Sequence, residues 1–106
     1  MHIRDYGASA TVYFDGEINL NSINKFKEEM NNIDESIEKT VILNFNNVSY
    51  INSLGLGAII ELYKKSKAKK RALKIVCTSP VVKEVFEVVK FDKLMPMYDS
   101  DEKALA

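Results

Sequence analysis

The segment SYINSLGLGAII, residues 49–60, has the residue types that could handle a phosphate group. It combines Ser53 with Gly55 and Gly57, and it contains no acidic or basic side chain. If it joins a strand to a helix, the unpaired N–H groups at the helix start would favour phosphate. Two interpretations stay open. Either Ser53 or Asn52 caps the helix, or Ser53 accepts a phosphoryl group whose charge the helix end stabilises.

The rest of the chain offers few groups for catalysis. The glycines could let a nucleotide phosphate approach the backbone, but no GxxxxGK[ST] lysine accompanies them, and close packing or surface access explains them equally. The only histidine is His2, at an end that we expect to fray, and the only cysteine is Cys77, inside the apolar run KIVCT. We therefore predict no catalytic triad, no zinc site, no cofactor and no enzymatic activity.

Hydrophobic periodicity predicts strands that alternate with helices. We predict strands over residues 2–6, 11–18, 41–45, 73–78 and 94–98, and helices beginning near Asn21 or Ser22, Ser53, Ser79-Pro80 and Ser100. In the first helix the buried face is predicted to be Ile23, Phe26, Met30 and Ile33, and in the second Leu56, Ile59, Ile60 and Tyr63.

This order of elements predicts an α/β fold with a mostly parallel sheet of four to five strands and about four helices. The first two strands are close in sequence, so they should pair antiparallel, and in so small a domain the helices could all cover one face. Ser53 then lies just beyond the carboxyl end of a strand, where sites gather in α/β folds.

Length and composition limit the class of protein. The 106 residues suit one domain spanning 1–106, and 15 basic against 15 acidic side chains give no reason to expect a nucleic-acid partner. No apolar run approaches the roughly 20 residues that span a bilayer. The first residues, MHIRDYGASATVYF, lack the apolar segment of a signal peptide, so we expect a cytoplasmic protein.

A basic cluster follows the second helix. Between Lys64 and Lys74 there are seven Lys or Arg and no acid. A solvated helix end explains this, because the helix dipole favours cations there, and a surface for an acidic partner is the alternative. The acids between Glu28 and Glu38 are expected to cluster elsewhere.

The run VILNFNNVSYINSLGLGAIIELYKKSKAKKRALKIV resembles the sulfate-transporter and anti-sigma-factor-antagonist (STAS) domain family. That family has a strand ending in Asp-Leu, then Val-Ser-Tyr-Ile-Asp-Ser-Ser-Gly-Leu-Gly, then a helix. FDGEINLNSINKF resembles its Gly-Glu-Leu-Asp segment, and TSPVVKEVFEVVKFDKLMPMYDSDEKALA resembles its closing Ser-Pro helix, corner, last strand and acidic-capped tail. The resemblance extends over nearly the whole chain.

The resemblance implies a freestanding bacterial anti-sigma factor antagonist that works by partner switching. Such a protein binds an anti-sigma factor, itself a serine kinase, and frees a sigma factor for transcription. Phosphorylation of the motif serine, here Ser53, breaks the complex, and a phosphatase resets it. The implied contact surface comprises Asn19, Asn21, Asn52, Ser53, Leu54, Gly55 and Gly57.

Three matched positions depart from the family pattern, because Asn19, Asn44 and Asn52 stand where acids are usual, and Leu54 replaces the second motif serine. We expect the loss of nearby acids to lessen repulsion of a phosphate on Ser53, although it could equally slow recognition by the kinase. The alternative function is a STAS accessory subunit, without phosphorylation, of a membrane lipid transporter's ATPase or of a stress-signalling scaffold.

Overall fold

The computed structural model describes residues 1–106, and its centre is one mixed sheet. The five strands are β1 (His2–Asp5), β2 (Ser9–Ile18), β3 (Thr40–Ile51), β4 (Leu73–Val76) and β5 (Met97–Tyr98), and they lie side by side in chain order. β1 pairs antiparallel with β2, and all other pairs are parallel. This confirms the predicted sheet with an antiparallel first strand.

Helices connect the parallel strands and close the chain. They are α1 (Ile23–Ser36), α2 (Ser53–Ala68), α3 (Pro80–Val88), α4 (Phe91–Leu94) and α5 (Asp101–Leu105). The additional helix relative to the prediction is the single turn α4, which is too short to show a periodic pattern. None of the helices has the length and apolar character needed to cross a membrane.

The main hydrophobic core lies between one face of the sheet and helices α1 to α4. Phe45 of β3 is fully buried, and its ring lies 5.1 Å from the ring of Phe14 on β2 and 5.4 Å from that of Phe86 on α3. Aromatic pairs at these distances add to the stabilisation from burial. The central strand β3 is thereby fixed on both sides, and the end of this strand carries the motif around Ser53.

The buried face of α2 differs from the predicted stripe. Its buried residues are Gly55, Ala58, Ile59, Leu62 and Ser66. Of the predicted stripe only Ile59 is fully buried, whereas Leu56, Ile60 and Tyr63 pack at the edge of the core. Small residues let α2 approach its neighbours closely, and a search for large apolar residues does not find such a face. The predicted face of α1 is confirmed, since all four of its residues are buried.

The other face of the sheet is covered in part by α5, so the helices do not all lie on one face. Ala104 is buried against Ile42 and Val76. Asp101 accepts hydrogen bonds from the Tyr13 hydroxyl at 2.5 Å and from the Asn44 amide at 2.8 Å. Burial, together with the hydrogen bond to Asp101, raises the pKa of Tyr13. A five-residue helix is unstable alone, so these contacts hold it in place.

One strand contains a residue that was expected to fray, and another is longer than expected. His2, which was expected at a frayed end, begins β1, and its ring lies 5.7 Å from that of Tyr13. β3 continues past Phe45 to Ile51, because its pairing with β2 persists through two irregularities as far as Ile18 opposite Ile51. β2 and β3 therefore end at the same edge of the sheet, next to the start of α2.

Candidate functional site

Ser53 lies at the start of α2, where β2 and β3 both end. It is the first helical residue and follows β3 by a single residue, Asn52. The Asn52 N–H donates to the carbonyl of Ile18 at 2.9 Å, and this bond fastens the chain leaving β3 to the end of β2. The turn after β2 and the first turn of α2 consequently form one surface.

The helix cap belongs to Asn52 and not to Ser53. The Asn52 backbone is extended, and its side-chain oxygen accepts a hydrogen bond from the Gly55 N–H at 2.9 Å. This is the standard geometry of an N-cap residue. Ser53 is exposed, and its hydroxyl has no hydrogen bond to the rest of the protein. Of the two candidates for the helix cap, the cap is therefore Asn52, and the Ser53 hydroxyl is left free.

The two glycines have different surroundings. Gly55 is buried, and a Cβ there would lie 2.8 Å from methyl or methylene carbons of both Ile18 and Ile51. The lack of a side chain at Gly55 therefore serves close packing, and the place of Gly55 in a contact surface stays a prediction. Gly57 is exposed, and a Cβ there would meet nothing within 4 Å. Gly57 leaves a bare patch on the helix one turn after Ser53.

A groove at this edge brings most of the predicted contact residues together. Its lining residues are Asn19, Leu20, Asn21, Tyr50, Asn52, Ser53 and Leu54. Asn19, Leu20 and Asn21 belong to the turn after β2. The side-chain oxygen of Asn19 stabilises this turn by accepting a hydrogen bond from the Asn21 N–H at 2.9 Å. The turn is held also by Ser22, whose hydroxyl donates to the carbonyl of Glu17 at 2.7 Å. Asn19, Asn21, Asn52, Ser53 and Leu54 are therefore neighbours, as the sequence predicts.

Three large apolar side chains are exposed around Ser53. Leu20 is 78% exposed, Leu54 45% and Tyr50 44%. Leu20 and Tyr50 are not among the residues predicted for the site. The exposure of Leu20 could have been predicted from the sequence, because it lies between two asparagines in a turn, where a leucine side chain is not expected to reach the core. We call Leu20, Tyr50 and Leu54 together the apolar rim of the groove.

The electrostatics of the groove favour an anion more than a cation. No carboxylate, lysine or arginine lines it, and the start of α2 contributes partial positive charge from its free N–H groups. Nor does the structure contain a group of three or more His, Cys, Asp or Glu side chains arranged to hold a metal ion. A negative group on the Ser53 hydroxyl would therefore meet no like charge among the lining residues.

Asn44 is not part of this groove. It is buried in β3, and its amide donates to Asp101 on the face that α5 covers. The expected decrease in repulsion of a phosphate on Ser53 stays a prediction, and within the groove it concerns Asn19 and Asn52. A carboxylate at position 44 would face Asp101 directly, so the amide serves to attach α5. Cys77 is buried, as expected, and burial raises the pKa of its thiol.

Comparison with protein families supports the resemblance in the sequence. The family model described as the STAS domain matches residues 3–104. An anti-sigma F factor antagonist of Paenibacillus polymyxa is 26% identical in an alignment of 98 positions, which covers 89% of this chain and 81% of the relative.

Solved structures share the fold at low sequence identity. An anti-sigma factor antagonist from Mycobacterium paratuberculosis superposes with a TM-score of 0.87 at 19% identity, covering 98% of this chain and 88% of the other. The Bacillus cell fate determinant SpoIIAA, in its phosphorylated form, superposes with a TM-score of 0.72 at 17% identity, covering 98% and 95%. The fold of this chain is therefore that of these proteins.

Proposed function

Because the chain belongs to the STAS domain family, we propose that it is a cytoplasmic anti-sigma factor antagonist that is switched at Ser53. It binds an anti-sigma factor through the groove at the start of α2, without catalysing a reaction itself. The anti-sigma factor acts as a serine kinase on Ser53, the phosphate breaks the complex, and a phosphatase restores binding. The name of the Paenibacillus polymyxa relative supports the general role.

The observation that carries the proposal is the free hydroxyl of Ser53. Asn52 satisfies the Gly55 N–H, so phosphorylation of Ser53 would not remove the helix cap. A kinase can therefore modify Ser53 without unfolding this end of the domain. A phosphate here lies at the positive end of the helix dipole, which stabilises it within its own domain. The phosphorylated form of SpoIIAA, a protein of the same fold, is consistent with such a modification.

The apolar rim explains how a phosphate would end binding. Leu20, Tyr50 and Leu54 are exposed in the free protein, and a partner that covers them gains the hydrophobic free energy of their burial. A dianion in the middle of that interface must lose its water without gaining a paired charge, which costs several kcal/mol. The same groove therefore binds when Ser53 is unmodified and fails to bind when it is phosphorylated.

The test is phosphorylation by a serine-kinase anti-sigma factor from the same organism, with Mg²⁺ and ATP. We expect mass spectrometry to find one phosphate on the wild type and none on Ser53→Ala. Ser49→Ala is the matched control, since Ser49 is exposed in the same segment and its loss should leave phosphorylation intact. Phosphate on another residue, or equal phosphorylation of Ser53→Ala, would contradict the assignment of Ser53.

Binding to the same kinase tests the switch separately. We expect Ser53→Ala to bind as the wild type does and Ser53→Asp to bind at least about tenfold more weakly, because a buried unpaired charge costs more than 1.4 kcal/mol. Equal affinities of the two variants would contradict the switch and leave the antagonist role standing. Absence of any kinase partner, with co-purification of a transporter ATPase, would favour the accessory subunit instead.

A further inference from the structure

A second groove lies at the opposite end of α2. It is formed by the last turns of α2, the beginning of β4 and the connection from α4 to β5, and its volume is about 400 Å³. Tyr63, Leu73, Leu94 and Pro96 give it an apolar floor. That volume is at the small end of the range for ligand sites, so the groove has room for a few side chains of a partner.

The charged side chains of this groove are all basic. Lys67 and Lys70 are exposed along its edge, and no acidic residue is among those that line it. Two other lysines of α2 are already paired, since Lys65 lies 3.6 Å from Glu61 and Lys69 lies 3.1 Å from Asp34. Lys67 and Lys70 have no carboxylate within ion-pair distance in the structure. The positive charge on this side of α2 is therefore left uncompensated.

Lys70 also has an unfavourable backbone conformation. Its φ is +57°, in the left-handed region where glycine is the usual residue after a helix end. A residue with a Cβ costs roughly 1 kcal/mol more than glycine in this conformation. Lys70 keeps a cation at the groove despite that cost. Its N–H donates to the Lys67 carbonyl at 3.1 Å, which holds the two lysines on neighbouring turns.

We propose that this groove is a docking site for an acidic peptide segment that carries one apolar side chain. The apolar side chain contacts Leu94, which is 44% exposed, and Pro96, while acidic groups on either side pair with Lys67 and Lys70. The α2 helix is about 24 Å long, so this site and Ser53 lie at opposite ends of the domain. The peptide can therefore occupy this groove while another partner is bound near Ser53.

The test is an NMR titration of the ¹⁵N-labelled protein with a short synthetic peptide in which glutamates flank one leucine. We expect shift changes at the backbone amides around the groove, including Ala72 and Leu94, and none at Ser53. The double variant Lys67→Glu/Lys70→Glu should bind at least about tenfold more weakly, because like charges replace attractive pairs. The matched control Lys25→Glu/Lys27→Glu reverses two exposed lysines of α1 and should bind as the wild type does.

Two further peptides separate the contributions of charge and apolar contact. Replacement of the leucine by serine should weaken binding, and replacement of the glutamates by lysines should abolish it. Absence of shifts with the acidic peptide, or an equal loss of affinity in the α1 control variant, would overturn the proposal. So would tighter binding of a single-stranded oligonucleotide, because the lysines would then be contacts for phosphate. Ser53→Ala should leave peptide binding unchanged.

Discussion

The two ends of helix α2 are built in different ways. At the C-terminal end the buried guanidinium of Arg71 donates to the carbonyls of Asp34 and Ile37, to the Asp34 carboxylate and to the Ser66 hydroxyl. At the N-terminal end one side-chain hydrogen bond, from Gly55 to Asn52, closes the helix. A buried side-chain network thus holds one end of the helix, whereas a single cap closes the other end next to the exposed Ser53.

The electrostatics of the C-terminal end support this contrast. Burial acts to raise the pKa of Asp34, but hydrogen bonds from Arg71 and Lys69 outweigh it and leave the pKa below its ordinary value. The carboxylate is therefore fully ionised at neutral pH and pairs with Arg71 at 2.6 Å. The expectation that the acids of α1 lie away from the basic cluster is wrong for Asp34, since packing of α1 against α2 brings the two groups together.

The largest effect is expected from Arg71→Met. It removes the guanidinium from the Ile37 carbonyl and leaves the partly buried Asp34 carboxylate with the half-exposed Lys69, so we expect the free energy of unfolding to fall by about 3 kcal/mol. Urea denaturation measures it. The control is Lys69→Met, which removes an ion pair to the same Asp34 from a side chain that is half exposed, and should cost less than about 1 kcal/mol. A loss in Arg71→Met as small as in the control would mean that this end is not fixed by Arg71.

A smaller effect is expected from Gly55→Ala, which tests the packing at the N-terminal end of α2. The new Cβ would lie 2.8 Å from Ile18 and Ile51, both buried branched side chains, so we expect a loss of about 1–3 kcal/mol. Gly57→Ala is the matched control. It places the same methyl group in open space, and it should stabilise the helix by up to about 1 kcal/mol. If thermal or urea denaturation showed that both substitutions change the free energy of unfolding in the same direction, the distinction between the two glycines would be wrong.

The sequence predicted the order of elements because strands and long helices carry periodic apolar patterns. The family resemblance implied that Asn19, Asn21, Asn52, Ser53 and Leu54 share one surface, and they line one groove. What the sequence missed depends on contacts between distant residues. The attachment of α5 rests on pairing of Asn44 with Asp101, 57 positions apart, and no local pattern reveals such a pair.

The sequence also did not show which individual residues are buried. Gly55 and Gly57 occupy the same GLG motif, yet one is buried and the other exposed. Their difference is decided by the phase of α2 against β2 and β3, and that phase depends on small residues at positions 58 and 66, which a search for large apolar side chains does not weigh. Arg71 was read as part of a solvated basic cluster, although its side chain is 1% exposed.

Asn52→Ala tests the side-chain hydrogen bond that caps the N-terminal end of α2. Loss of the bond to the Gly55 N–H should reduce the free energy of unfolding by about 1 kcal/mol, as for other N-cap residues. Asn52→Asp keeps the acceptor and adds a negative charge at the helix start, so it should be at least as stable as the wild type. Urea denaturation of the three proteins gives the comparison. Destabilisation by Asn52→Asp to the level of Asn52→Ala would contradict the cap.

The smallest effect comes from placing the same acid at either end of α2. Ser53→Glu puts a negative charge at the helix start and should stabilise the domain by about 0.3–1 kcal/mol, whereas Lys67→Glu puts it in the last turn and should destabilise the domain by a similar amount. Both side chains are exposed, so packing changes little. Denaturation at low and at high salt measures the difference, which should shrink at high salt because exposed charges are screened. A destabilised Ser53→Glu would mean that the start of α2 does not tolerate negative charge, and the stabilising effect proposed for a phosphate there would be lost.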